Sequence, residues 1–260
     1  MKRYLRSVAK DLARRLVPHG WWPQLRRSYN QLTWPLFVGN RVACNCCEGH
    51  FRRFRPWSDE QGQLWPMCPR CGSLGRMRVD WLFLTTRTDL LERRRRLLHI
   101  APEVSFAHAL QRRPNLFYVS ADYDSALAME HIDVTDIRYP DDSFDVVLCN
   151  HVLVYVTDDR QAMKEIFRVL RSGGWALLQV PLDLSRAETL EDPTVTDPRE
   201  RHRIFGQYDH VRIYGRDYVQ RLEEAGFDVS VEEFVQTLPS STIDRLGLDT
   251  GETIYLCRKV

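Results

Sequence analysis

Five of the seven cysteines fall between positions 44 and 71, reading CNCC at 44–47 and CPRC at 68–71. Cys44 and Cys47 make one C-x2-C pair and Cys68 and Cys71 a second, with 20 residues between the pairs. This is the spacing of a zinc ribbon: a short turn brings two thiolates to one metal, and a second turn completes the tetrahedron. Pro69 and Gly72 suit the second turn, and CEGHFRRF suits a short strand after the first. A closed four-thiolate site is structural. Its binding free energy, roughly 10–16 kcal/mol, serves to fold a piece of chain too short to bury its own core. The odd cysteine count, and the lack of an apolar export segment in MKRYLRSVAKDLARRLV, speak against a disulfide framework. Cys46 is left out of the ligand set as the immediate neighbour of Cys47. Cys149 and Cys257 lie in apolar, strand-like runs and read as core.

The other residues suited to chemistry lie where strand-like runs end. From residue 97 onward, apolar runs at 97–101, 116–121, 144–150, 174–180, 227–233 and 252–258 alternate with helical stretches at 104–112, 159–171 and 215–225. Such alternation predicts a parallel sheet covered on both faces, with ligands held outside the carboxyl ends of its strands. The first run ends at Ala101-Pro102-Glu103, with no glycine to bring backbone against a pyrophosphate. The second ends at Asp122, about 20 residues on, where a carboxylate can accept hydrogen bonds from a ribose diol. Asp133 precedes Val134, a pairing that can receive an adenine amino group and pack its ring. The third run ends at Asn150-His151.

These residues must be positioned by one large domain with a small module, the size that 260 residues allow. The division expected is a basic amphipathic helical segment at 1–35, a zinc ribbon at 36–74 and the main domain at 75–260, entered through a helix in SLGRMRVDWLFLTT. No run of about 18 apolar residues occurs, so a cytoplasmic protein with reduced thiols is expected. Residues 1–80 hold 15 Lys and Arg against 5 Asp and Glu, and the remainder holds 22 against 30. A basic head on an acidic body points to an anionic partner or to a merely solvated face. Leu5, Val8, Leu12 and Leu16 recur at helical spacing before Trp21 and Trp22. That helix either lies on a membrane interface, at the inner face, or packs on the main domain; Pro18, Gly20 and Pro23 are expected to break it.

The runs DVTDIRYPDDSFDVVLCNHVL and AMKEIFRVLRSGGWALLQVP resemble the class I S-adenosylmethionine-dependent methyltransferases. From about residue 41 the chain resembles one subgroup, which joins a four-cysteine ribbon, here with CPRCGSL, to an APE first turn and a later FGQYDHVRIYGRDY. The resemblance implies an α/β fold with a doubly wound, seven-stranded, mostly parallel sheet, and S-adenosylmethionine as cofactor. It places Ala101, Pro102 and Glu103 under the methionine part, with His99 where the superfamily often has an acid. Asp122 falls at the ribose, Asp133 and Val134 at the adenine, and Asn150 and His151 beside the sulfonium. A methionine tail needs no pyrophosphate cradle, which accounts for the glycine-free turn. The subgroup's HVLEHV reads HVLVYV here, so Val154 and Tyr155 replace a charged and a titratable residue.

For the acceptor side, the polar and aromatic segment 189–215 follows WALLQV and gathers Glu191, Gln207, Asp209, His210, Arg212 and Tyr214. Long insertions of this kind are uncommon unless functional. DHVRIY alternates, so His210, Arg212 and Tyr214 share one side of an extended segment. Facing an acceptor together, they would offer His210 as base, Asp209 as its orienter and Arg212 as an anion clamp; the bland alternative is a structural cover. The expected reaction is methyl transfer to an O or N atom of a small-molecule or glycan-type acceptor. Two alternatives stand beside it. One is an RNA methyltransferase whose ribbon and basic head, with Arg52, Arg53 and Arg55 among Phe51, Phe54 and Trp57, grip phosphates. The other is a cofactor-binding protein without catalysis.

Overall fold

The computed structural model describes residues 22–58, 62–125 and 128–260. The amphipathic stretch expected at 3–17, together with Trp21, lies outside them. The first described helix, α1 (Trp22–Thr33), carries Pro23 in its first turn. Proline is tolerated there because that N–H has no partner within the helix; whether Pro18, Gly20 and Pro23 end the 3–17 stretch lies outside the described residues.

Four short strands follow as two antiparallel hairpins: β1 (Val38–Cys44) with β2 (Gly49–Phe51), and β3 (Arg55–Ser58) with β4 (Leu64–Met67). The first cysteine pair closes the first hairpin and the second follows β4 directly. Helix α2 (Gly75–Arg87) then leads into the large sheet. Arg78 on α2 is fully buried and donates to Ser73 O, Pro66 O, Leu246 O and Gly247 O at 2.6 to 2.9 Å. Its guanidinium also lies 4.1 Å from the Phe54 ring centroid, so one side chain ties the hairpins, α2 and the C-terminal region together.

The large sheet has seven strands in the order β12-β13-β9-β8-β5-β6-β7. In chain order they are β5 (Arg95–Ile100), β6 (Leu116–Asp122), β7 (Glu130–His131), β8 (Phe144–Cys149), β9 (Leu170–Leu177), β12 (Asp228–Glu232) and β13 (Ile254–Arg258). Only β13 runs against its neighbours; the rest are parallel. This is a doubly wound, Rossmann-like α/β fold with a seven-stranded, mostly parallel sheet. The chain moves from β5 outward to β7, then returns to build β8 and β9 on the other side, so the switch point lies between β5 and β8.

Alternation along the strands sends Leu98, Ile100, Val147 and Cys149 to one core. Leu97, Val146 and Leu148 join a second core shared with Phe51, Cys68 and Phe83. The hairpin module therefore packs into the same apolar layer that covers one face of the sheet. α3 (Val104–Gln111) belongs to that layer, and α4 (Asp159–Val169) and α6 (Tyr218–Glu224) cover the opposite face.

Two local expectations change. The helical stretch expected at 159–171 is shorter, and the strand expected from 174 begins earlier, at Leu170. α4 stops at Val169, and Gly173 and Gly174 sit inside β9, at an irregularity of the β8–β9 pairing. A Cβ at Gly174 would stand 2.8 Å from Asp145 O, and Gly173 has a φ of 76°. The 189–215 segment is not one extended strip. It pairs β10 (Leu190–Glu191) with β11 (Arg212–Ile213) around a helix, α5 (Pro198–Phe205). Asp197 caps α5 by accepting from Arg199 N and Glu200 N, and Gly206 ends it in the left-handed region. A further short helix, α7 (Ser240–Leu246), precedes β13.

Candidate active site and cysteine cluster

β5 delivers the first turn of the site. Ala101 has a φ of 48°, a conformation that a non-glycine residue adopts only where the surroundings hold it, and it donates to Ala121 O at 2.8 Å. The turn projects Glu103 over the end of β8. Glu103 Oε2 lies 2.6 Å from His99 Nε2, and Glu103 Oε1 accepts from Asn150 Nδ2 at 3.2 Å. His99 is fully buried, stacked on Phe106 and bonded through Nδ1 to the Tyr118 hydroxyl. It thus stands behind Glu103 and orients it, and has no surface of its own to offer a cofactor.

Asn150 and His151 end β8 with polar atoms left over. Asn150 Oδ1 and His151 Nε2 are buried and have no hydrogen-bond partner among the described residues. His151 also has a φ of 55°. Burial, with the fields of Arg76 and His210, lowers its pKa to about 3, so the ring is neutral. At the next strand end, Asp122 Oδ1 accepts from Asp124 N and Ser125 N, and Ile132 N donates to Asp122 O. A carboxylate has about four acceptor positions, so a ribose diol can still be received. Asp122 is in register with His131, which puts Asp133 two residues beyond the adjacent strand end. Asp133 is exposed and accepts from Thr135 N and Oγ1, while Val134 beside it is buried.

The acceptor segment keeps its alternation but turns it inward. His210, Arg212 and Tyr214 are the buried set, and Asp209 faces solvent. Arg212 donates to Leu153 O, to Thr157 O and to Glu191 at 2.8 to 2.9 Å. Tyr214 donates to Asp159 Oδ2 at 2.7 Å, and Arg221 bridges Asp159, Glu191 and Asp217. These bonds clamp the insertion onto the start of α4. Arg212 is therefore spent on protein carbonyls and carboxylates rather than held as an anion clamp, and Tyr214 has no exposed surface to face an acceptor. Only His210 reaches the strand edge. It packs edge-on against Tyr155 with centroids 5.0 Å apart and influences His151 electrostatically. Burial lowers the His210 pKa, opposed by the nearby Asp209 carboxylate, so it is neutral near pH 7 and able to accept a proton. Val154 sinks into the core and its carbonyl accepts from Val211 N.

Four polar residues at this edge are absent from the strand-end pattern: Arg76 and Asp80 on α2, Gln179 just after β9 and Glu252 just before β13. Asp80 is 1% exposed and neither carboxylate oxygen has a hydrogen-bond partner among the described residues. The only hint in the sequence is one acid inside the otherwise apolar run VDWLFL.

The orphaned acceptors at Asn150 and Asp80 fit the N–H groups of an amino-acid tail, and Asp122 fits a ribose. The edge is thus compatible with S-adenosylmethionine.

Residues 97–178 match the methyltransferase domain family. The match runs from inside β5 to just past β9 and so contains the switch point. The chain is 30% identical over 141 residues to the 27-O-demethylrifamycin SV methyltransferase of Amycolatopsis mediterranei (strain S699), covering 54% of this chain and 50% of that one. It is 29% identical over 108 residues to the demethylmenaquinone methyltransferase of Clavibacter sepedonicus, covering 36% of this chain and 44% of that one. The chain thus spans about half the length of these curated relatives. Among solved structures, the S-adenosylmethionine-dependent methyltransferase from Mesorhizobium loti superposes with a TM-score of 0.48 at 16% identity, over 69% of this chain and 97% of that one.

Away from the strand edge, the Sγ atoms of Cys44, Cys47, Cys68 and Cys71 lie within 4.8 Å of one another. The Cys44–Cys71 and Cys47–Cys68 separations are 3.6 and 3.7 Å. Four sulfurs about 2.3 Å from one zinc ion stand about 3.8 Å apart, so the cluster has the size of a tetrahedral site. Cys46 points elsewhere, its Sγ 3.8 Å from Met77 O. A cleft of 1020 Å³ opens on the ribbon side of α3, rimmed by Trp34, Arg70, His108, Arg112 and Arg113.

Proposed function

We propose that this protein is an S-adenosylmethionine-dependent methyltransferase acting on an oxygen or nitrogen atom of a small-molecule or glycan-type acceptor. The observation that carries the reading is the switch-point edge itself. Within the segment that matches the methyltransferase domain family, Glu103, Asn150 and His151 converge with buried polar atoms still unsatisfied. When bound, the cofactor supplies a methyl group already activated on a positively charged sulfur. Asp122 holds the ribose hydroxyls, and Asp133 with the apolar Val134 receives the adenine. Glu103, held by His99 and Asn150, fixes the floor under the methionine part. His210, neutral and beside the strand edge, takes the proton from an acceptor hydroxyl or amine. Placement of nucleophile and methyl group in line can contribute roughly 7–11 kcal/mol, so few further groups are required. The four thiolates hold a structural zinc ion.

Calorimetry with S-adenosylhomocysteine tests this directly. The wild type binds, and no measurable binding ends the proposal.

A second reading, RNA methylation, draws support from the basic cleft beside the ribbon, where Arg70 stacks over Trp34 at 5.4 Å. It requires RNA affinity that falls steeply with salt. Filter binding at 50 and 200 mM salt distinguishes the two readings.

A further inference from the structure

We propose that Asp80 and Glu252, flanked by Gln179, form a buried receptor for a protonated amine at the carboxyl edge of the sheet. The identity of the amine rests on the methyltransferase reading; the receptor itself rests on the geometry.

Asp80 projects from α2 with both oxygens buried and unpartnered among the described residues. A buried charge in that state is strongly unfavourable unless something pairs with it. The neighbour best placed to help is already committed. Gln179 donates through Nε2 to Glu252 Oε1 at 3.3 Å and to Thr253 O at 2.8 Å, and its carbonyl accepts from Tyr255 N. Both N–H groups of that amide are used. Glu252 is partly buried and lies within electrostatic reach of Asp80. The local cation is Arg76, one helical turn before Asp80, whose field reaches Asp80, Glu252 and His151. Asp80 and Glu252, with the Glu103 and Asp249 carboxylates also within reach of one or the other, thus share one guanidinium, and negative charge is left over.

Hydrogen bonding points the same way. The two Asp80 oxygens and Asn150 Oδ1 are acceptors without donors, against the unpartnered donor Arg76 Nε and His151 Nε2, which donates in only one tautomer of its neutral ring. A hydroxyl brings one donor and no charge, and a phosphate or carboxylate would be repelled. An ammonium group brings three donors and the missing positive charge. Burial raises the pKa of both acids, helped by the Glu252 and Glu103 carboxylates at Asp80 and by Asp249 at Glu252, which rises to about 7, as expected of carboxylates lacking their cation. The amine has two sources: the α-ammonium of the cofactor's amino-acid tail, or an amine on the acceptor.

Asp80→Asn and Glu252→Gln, each in the full-length metal-loaded chain and each checked for an unchanged or raised melting temperature, separate these sources. Calorimetry is run with S-adenosylhomocysteine, with 5′-methylthioadenosine, which lacks the amino-acid tail, and with benzylamine against neutral benzyl alcohol. At least a tenfold loss of S-adenosylhomocysteine affinity with unchanged methylthioadenosine affinity assigns the receptor to the cofactor's ammonium. Unchanged nucleoside affinities, with benzylamine binding to the nucleoside-loaded protein lost and benzyl alcohol unaffected, assign it to the acceptor. If neither variant changes binding of any ammonium-bearing probe, the receptor is overturned. If the wild type binds neither nucleoside, the methyltransferase reading fails by itself; benzylamine titrated into the nucleoside-free protein then scores the receptor, and its failure to bind overturns that too.

Discussion

The cysteine ribbon and the carboxyl edge of the sheet treat polar groups in opposite ways. In the ribbon, four thiols converge on one point, and Arg78 next to them donates to four backbone carbonyls. At the sheet edge, Asp80 and Asn150 are buried and His151 buries its Nε2, yet all three leave atoms unsatisfied. Within one chain, closure marks the part that stabilises, and unsatisfied polarity marks the part proposed to receive a ligand. Changes in the closed region should lower stability and spare ligand affinity, and changes in the open region should do the reverse.

The largest effect is expected from the metal. Cys68→Ser, or prolonged chelation, removes a site whose binding contributes roughly 10–16 kcal/mol in isolated fingers. Elemental analysis should find one zinc per chain in the wild type and none in the variant, with a broad loss of cooperative melting. A folded, metal-free wild type refutes the zinc assignment. Next comes Arg212→Met, which leaves the buried Asp159, and Glu191 at the surface beside it, with one guanidinium fewer. Urea titration should show a loss of about 3 kcal/mol, while S-adenosylhomocysteine affinity per folded molecule is unchanged. A binding defect without a stability defect would put Arg212 back in the acceptor site.

Glu252→Gln should move stability the other way, and only at higher pH. A carboxyl whose folded pKa is raised weakens the fold as pH climbs from its unfolded value, about 4.3, to its folded value, about 7. Below that window the variant and the wild type should match. Above it the variant should be more stable by on the order of 2 kcal/mol. Denaturant melts at pH 4.5 and 7.5 read this difference, and a constant offset at both contradicts the uncompensated charge. The smallest effect belongs to Asp122→Asn. Asparagine keeps an oxygen for the Asp124 and Ser125 amides, so stability should stay within about 0.5 kcal/mol. Calorimetry should show roughly tenfold weaker nucleoside binding, about 1.4 kcal/mol; unchanged binding removes Asp122 from the ribose.

What the sequence discloses follows the same division. The strands from 97 onward are readable because parallel strands buried on both faces are short apolar runs between turns. The thiols are readable because metal geometry imposes spacing. Asp122 is visible because it ends a strand run, and Asp133 because it stands beside the apolar Val134. Arg76 and Asp80 are hidden because they sit on a helix upstream of the sheet, and only the fold brings them to its edge. The alternation of His210, Arg212 and Tyr214 is readable, but whether that face meets a ligand or the start of α4 depends on Asp159, some 50 residues away. Helix α5 is marked by Asp197, Pro198 and Gly206, a capped start and a glycine stop, and is masked by the polar composition between them.

Arg78 and Asp80 lie two residues apart on α2, so they point in different directions from one rigid rod. The first is bolted to the thiol module and the second hangs over the ligand edge. A loss of sulfur chemistry near Cys68, by oxidation or metal starvation, would loosen the bolt and shift the overhanging carboxylate together with it. The thiol module thereby sets the alignment of the edge proposed to hold the ligand.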